Sequence, residues 1–215
     1  MRSIGYILAT ASVCFLSAGC AKRSPELARG PSPEALRLAE SGDSEAQCMV
    51  GSWYLTDGNY PEAAKWLQKA NAHGSLAWLF LNGKGVPRDV KRGIQHLRIA
   101  ADCPAVDGND GCAKELAEIY RKGRLVPRNY PEAYHYLGIA ILNWSELCDG
   151  EEKLSELAKR RNAVGKRLRA KNRDTQDERL RTWAGELTAV GWRPSDKAAA
   201  LVGVQVPQDP DDNNE

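Results

Sequence analysis

The stretch from Leu81 to Ala101, LNGKGVPRDVKRGIQHLRIAA, returns along the chain in recognisable form, and a recurring unit of this size restricts the fold to a stack of like modules. Within it Gly83 and Gly85 end one helix, and Pro87 with Asp89 starts the next. Proline has a preset φ and no N–H to lose, and an aspartate accepts from the free amides of a first turn. Val90, Gly93, Ile94, Leu97, Ala100 and Ala101 then follow at three- and four-residue steps, so they share one helix face. A helix with one apolar face needs a neighbour.

The same pattern returns at Tyr120 to Ala140, YRKGRLVPRNYPEAYHYLGIA. A looser copy, Tyr54 to Ala70, has lost the GVP of its loop but keeps Asn59, Ala63, Trp66, Leu67 and Ala70 in register. Asn59, Asp89 and Asn129 are thus equivalent, separated by 30 and then 40 residues. Only nine residues separate Gly74 from Gly83, where sixteen separate Gly42 from Gly58, which predicts a first helix about two turns short in the middle unit. An insertion around Pro104 to Gly111 opens the third.

These residues resemble the pattern of Sel-like (Sel-one) repeats, a branch of the tetratricopeptide helical solenoids. The first unit carries Gly42, Ala46, Gln47, Gly51, Tyr54, Ala63, Trp66 and Ala70; the second carries Gly83, Gly85, Val86, Pro87, Asp89 and Ala100. The resemblance covers roughly Ser32 to Asn143. It implies an all-α fold, a short right-handed α/α solenoid of about three repeats, which is about the number needed to bury a continuous face. The recurring residues are packing residues, so the resemblance bears on fold more than on function.

The chain begins with Arg2, an apolar run from Ile4 to Leu16, and then Leu16-Ser17-Ala18-Gly19-Cys20. The run is too short to span a bilayer and has the zones of a secretory signal. It resembles a bacterial lipoprotein signal, in which cleavage leaves a lipidated Cys20 as the first residue, although Leu16 stands one position early and Ser17 takes the aliphatic place. Residues 1–19 are read as the signal and 20–31 as a polar tether. The expected location is the periplasmic side of the outer membrane. Ser32 and Pro33 then start a helix whose Ala35, Leu36, Leu38 and Ala39 form an apolar face packing on the first repeat.

Cysteine use fits an oxidising compartment. With the signal removed and Cys20 set aside, Cys48, Cys103, Cys112 and Cys148 allow three pairings. Proximity favours Cys103 with Cys112, and cysteine-rich members of the repeat family carry a similar bridge; Cys112 with Cys148 is the alternative. No CxxC or adjacent His completes a metal-ligand set.

The solenoid is read over 32–148 and a helical hairpin cap over 149–192. Leu154, Leu157, Ala158, Val164 and Leu168 mark one long helix. Thr175 and Glu178 read as a capping box for a second, lined by Leu180, Trp183, Ala184, Leu187 and Val190. Residues 193–215 read as an acidic tail without regular structure.

Little chemistry is visible, and the chain reads as a non-enzyme without cofactor. His96 and Tyr136 occupy the place of Trp66 and read as packing residues, His73 reads as a helix-end residue, and His135 is the histidine expected in solvent. No GxSxG, HExxH or phosphate loop is present. A formal charge of +2 names no partner by itself. The basic run Lys159, Arg160, Arg161, Lys166, Arg167, Arg169, Lys171 and Arg173 reads mainly as a solvated face, with acidic proteins or anionic headgroups as alternatives. Trp53 and Trp78 are candidate anchors for a protein partner, and Glu118 with Arg121 completes the partner-binding set. The resemblance points to an immunity protein against a type VI secretion phospholipase toxin; an envelope scaffold is the second reading.

Overall fold

Packing of the middle repeat shows why its loop carries so many small residues. At Gly85 the backbone has φ +70°, and a Cβ placed there would overlap the Tyr60 carbonyl group and lie 2.7 Å from the Pro61 nitrogen. Only glycine satisfies both conditions. The computed structural model describes residues 30–103, 109–143 and 146–205, which fold into helices and turns. The signal, Cys20 and the tether up to residue 29 lie outside the described residues.

The helices are divided between two units. The first contains α1 (Pro33–Glu40), α2 (Ser44–Asp57), α3 (Tyr60–Lys69), α4 (His73–Asn82) and most of α5 (Val90–Asp102). The second contains α6 (Asn109–Lys122), α7 (Tyr130–Leu142), α8 (Glu146–Gly165), α9 (Ala170–Thr188) and α10 (Asp196–Val202). The fold class is all-α, of the α/α repeat kind expected.

The three equivalent residues do the same work. Asn59 accepts from the Glu62 amide at 3.5 Å, Asp89 from Arg92 at 3.0 Å and Asn129 from Glu132 at 3.2 Å, so each caps the second helix of its pair. The longer loops close identically: the Asp89 amide donates to the Phe80 carbonyl at 2.9 Å, and the Asn129 amide to Tyr120 at 3.0 Å. The first helix of the middle pair is short, but by less than its glycine spacing predicts. Helix α4 has 10 residues against 14 in α2 and α6, about one turn rather than two. The reason lies at His73, the first residue of α4. Gly74 therefore sits inside the first turn instead of ending a helix.

In the first unit Leu67, Leu76 and Leu79 form the buried centre with Ala63 and Ala64, and Val86 of the loop packs against them. Helix α1 joins through Ala39, buried with Ala46 and Val50, and starts at Ser32, whose hydroxyl accepts from the Ala35 amide at 3.1 Å. Its face is narrower than the sequence pattern: Leu38 is exposed.

In the second unit α7 is buried from Ala133 through Leu142, because α6, α8, α9 and α10 all pack on it. This explains its YHYLGIAIL run, apolar on all sides rather than on one. Two expectations need correction here. Helix α9 starts at Ala170, not at Thr175, whose hydroxyl donates to the Lys171 carbonyl at 2.8 Å in mid-helix. The segment read as the start of a tail holds α10, capped by Ser195 and anchored by buried Ala198, Ala199 and Val202. Small alanines supplied a packing face that overall polarity concealed.

Candidate functional site

The basic run starts in α8, continues past its end at Gly165 and separates into different environments. Arg161 turns inward and is buried. Lys159 and Lys166 face solvent. Arg160 of α8 and Arg167, in the turn just after α8, line a cleft of ≈ 470 Å³ with Glu118, Arg121 and Lys122 of α6, Tyr130 of α7, and Ala163 and Val164 of α8. All of these residues belong to the second unit.

Glu118 is the internal organiser. Its two carboxylate oxygens accept from Arg121 Nε at 2.9 Å and Nη2 at 2.7 Å, a paired geometry that fixes both side chains. Lys122 Nζ lies 3.1 Å from the same carboxylate, and Arg160 Nη1 lies at 3.9 Å. Hydrogen bonding from Arg121 holds the Glu118 carboxyl down at about 2, with Lys122 assisting and burial opposing. Arg160 is also tied to Glu156, at 3.0 Å.

At the other wall Arg167 Nη1 donates to the Tyr130 hydroxyl at 2.6 Å, and Arg128 Nη1 stands 3.4 Å from it. Both guanidinium carbons lie within 6 Å of the Tyr130 ring centroid, at 5.3 Å for Arg167 and 5.8 Å for Arg128. The hydrogen bond from Arg167 moves the Tyr130 phenol below its usual range. Neither Arg128 nor Arg167 meets a carboxylate among the described residues. Four cations in the lining are set against Glu118, with Glu156 shared through Arg160, so the cleft keeps a positive surplus. The cationic side chains remain accessible: those of Arg121, Lys122 and Arg160 are 41%, 47% and 46% exposed.

The structure thus brings Glu118 and Arg121 together. Trp53 and Trp78 belong to the first unit. Trp53 is half-buried with its ring edge-on to Tyr54 at 5.3 Å, and Trp78 packs on Tyr60 and the Leu67 cluster. Tyr130 and Arg128 were not singled out from sequence as a site, and Arg167 was named only as one member of the basic run. The available signal was the repeat's own Pro127-Arg128-Asn129-Tyr130 turn, which places an arginine and a tyrosine beside the end of α6.

The histidines also find their places. His135, expected in solvent, is 2% exposed; burial depresses its pKa to about 3, with Arg179 and Arg161 adding repulsion. It points inward because α9 covers the face of α7 that would otherwise be wet. His96 stacks on Phe80 at 5.4 Å, and its Nδ1 lies 2.9 Å from Nδ1 of His73. At that spacing one ring must donate and the other accept, so both cannot be protonated there. Burial lowers both pKa values. Cys103 is exposed and carries a free thiol, while Cys112 is buried on α6, so the expected bridge between them is not formed in this structure. The side chain of Cys148 lies outside the description. Among the described residues no cluster of His, Cys, Asp and Glu is suited to a metal ion.

The three helical pairs match the Sel1 repeat, at residues 44–75, 71–104 and 112–143. The chain carries Sel1 repeats. The cleft is therefore built on the third Sel1 repeat, with α8 as its second wall. Among solved structures the chain is similar to a protective antigen of uropathogenic Escherichia coli displaying an SLR fold. That likeness has a TM-score of 0.57 at 22% identity and covers 81% of this chain and 36% of the antigen. It is also similar to a Sel1 repeat protein from Oxalobacter formigenes, with a TM-score of 0.44 at 23% identity, over 57% of this chain and 96% of that one. The chain thus spans about a third of the length of the antigen. No curated protein matches it.

Proposed function

We propose that this chain is an envelope lipoprotein whose Sel1 repeats bind another protein. The observation that carries this reading is the basic cleft: an internally braced arrangement, fixed by Glu118 and Tyr130, whose remaining positive charge faces outward. A rigid frame with unmatched charge is suited to recognition. The membrane anchor rests on the sequence around Cys20, and an exported Cys20→Ala variant that still fractionates with membranes would remove it.

The narrower reading is an immunity protein that holds a phospholipase-class toxin inactive in the periplasm. It rests on the resemblance to small exported Sel-like repeat lipoproteins and on the limited surface that three repeats offer to several partners at once. The test is a pull-down from the source bacterium, using the tagged chain from Cys20 onward with Cys20→Ser, read by mass spectrometry. One secreted lipase-like protein, bound one to one and inhibited, is the expected result. A group of envelope assembly proteins without a toxin would replace the immunity reading by a scaffold.

A further inference from the structure

We infer that the cleft between α6 and α8 is the docking site for an acidic segment of the protein partner, an extended stretch whose Asp or Glu carboxylates pair with Arg167, Arg128 and Lys122. This deepens the proposed protein-binding role and rests on it.

The cleft already shows the chemistry it accepts. Glu118 is held by two parallel hydrogen bonds from Arg121 at 2.9 and 2.7 Å, which is the arrangement a guanidinium makes with any carboxylate. That bond satisfies Arg121. Among the described residues it leaves Arg167 and Arg128 sharing the Tyr130 hydroxyl, a neutral acceptor that cannot balance either charge. An incoming carboxylate supplies the missing charge without dismantling the frame, since Tyr130 keeps both arginines oriented before it arrives. Lys122 and Arg160 offer a second position across the cleft, and Ala163 with Val164 between the walls gives room for methylene stems.

The same features favour a carboxylate chain over a lipid surface. A flat array of headgroups meets protruding lysines best, whereas Arg167, Lys122 and Arg160 line a concavity of ≈ 470 Å³, with Arg128 beside it against the Tyr130 hydroxyl. Glu118 and Glu156 already stand against Arg160, at 3.9 and 3.0 Å, and would repel any anion brought onto that side of the cleft. Carboxylates spaced along one extended strand can divide between the walls and avoid both glutamates.

The test uses the full chain with Cys20→Ser and fluorescein-labelled oligoglutamate, read by fluorescence anisotropy at low and moderate salt, with oligolysine as the control. Oligoglutamate should bind and oligolysine should not, and the affinity should fall as salt rises. Arg167→Glu and, separately, Arg128→Glu should each weaken binding about tenfold, about 1.4 kcal/mol, while the far-UV spectrum and melting temperature stay those of the parent. Lys159→Glu, on α8 but outside the cleft lining, should leave binding unchanged. Equal affinity in the parent and both arginine variants overturns the inference. So does retention by phosphatidylglycerol vesicles that depends on Arg167 while oligoglutamate fails to bind, which would assign the cleft to a membrane. Failure here is separable from failure of the protein-binding role. A captured partner that binds the Arg167→Glu chain as well as the parent removes the cleft and keeps the role; oligoglutamate binding without any captured partner does the reverse.

Discussion

Arg161 Nη2 lies 2.5 Å from Asp177 Oδ1, and its guanidinium sits 4.0 Å above the Tyr134 ring, so a residue from the middle of the basic run is a buried tie between α8 and α9. The Arg161 side chain is only 5% exposed, against 26% for Asp177. Removing the carboxylate alone leaves an uncompensated charge in the interior. Asp177→Ala should therefore cost about 3 kcal/mol, measured as a shift in the urea midpoint. Replacing both partners by apolar residues, Arg161→Met with Asp177→Leu, should recover most of the loss. A double variant as unstable as the single one would show that the pair does more than neutralise itself.

Burial of His135 makes a second prediction, with a definite sign. Its folded pKa of about 3 lies below the ordinary value of 6.5, so the unfolded chain takes up a proton between those limits and the folded chain does not. The neutral-state stability is complete above about pH 6.5 and is lost progressively as the pH falls toward 3. At pH 5 the loss should be about 2 kcal/mol relative to pH 7. His73 and His96, both with lowered pKa values, act in the same direction. Glu118, held at about 2 against an ordinary 4.5, loses its contribution chiefly below about pH 4.5 and so adds little between pH 7 and pH 5. Urea titrations at pH 7 and pH 5 test the point: His135→Phe should flatten the slope, and an unchanged slope would place the sensitivity elsewhere.

What the sequence showed, and what it hid, follows from the range of the interactions. Asn59, Asp89 and Asn129 were legible because capping is local and repeats its spacing. The packing role of Tyr136 was legible because it shares a position with Trp66. His135 was misread because α7 is enclosed by helices that have no counterpart in the earlier repeats, and a repeat pattern says nothing of what lies beyond its last copy. The cleft was half legible. Glu118 and Arg121 are three residues apart on one helix, whereas Arg167 reaches Tyr130 across 37 residues. Arg161 looked solvated because a basic run reveals its periodicity but not which side another helix will cover.

The glycines give a third prediction. Gly58 and Gly85 both have positive φ, at +84° and +70°, but nothing lies within 4 Å of a Cβ added at Gly58, whereas one added at Gly85 runs into the Tyr60 carbonyl group and meets Pro61 at 2.7 Å. Gly58→Ala should cost only the backbone strain, about 1–2 kcal/mol. Gly85→Ala adds a clash with backbone that cannot rotate away, and its cost should be clearly larger. Thermal melts of the two variants decide it. Equal losses would mean that the turn at Tyr60 yields, and that the loop glycine answers to backbone angle alone.

The cysteines of the second unit supply the last prediction. Cys103, at the end of α5, is exposed, and Cys112 is buried on α6 with a short segment between them. Exposure leaves the Cys103 thiol open to an oxidising compartment, and the segment between the two is short enough for a bridge to form with local adjustment. Closing so short a loop stabilises by about 2–3 kcal/mol on the chain-entropy account. Protein prepared from an oxidising compartment should yield a peptide joining Cys103 to Cys112 in non-reduced digests and should melt higher than the reduced form. A peptide joining Cys112 to Cys148 would instead tie α6 to α8, the two walls of the basic cleft, and reduction should then weaken oligoglutamate binding as well as stability. The two pairings thus differ in a functional readout as well as in the digest.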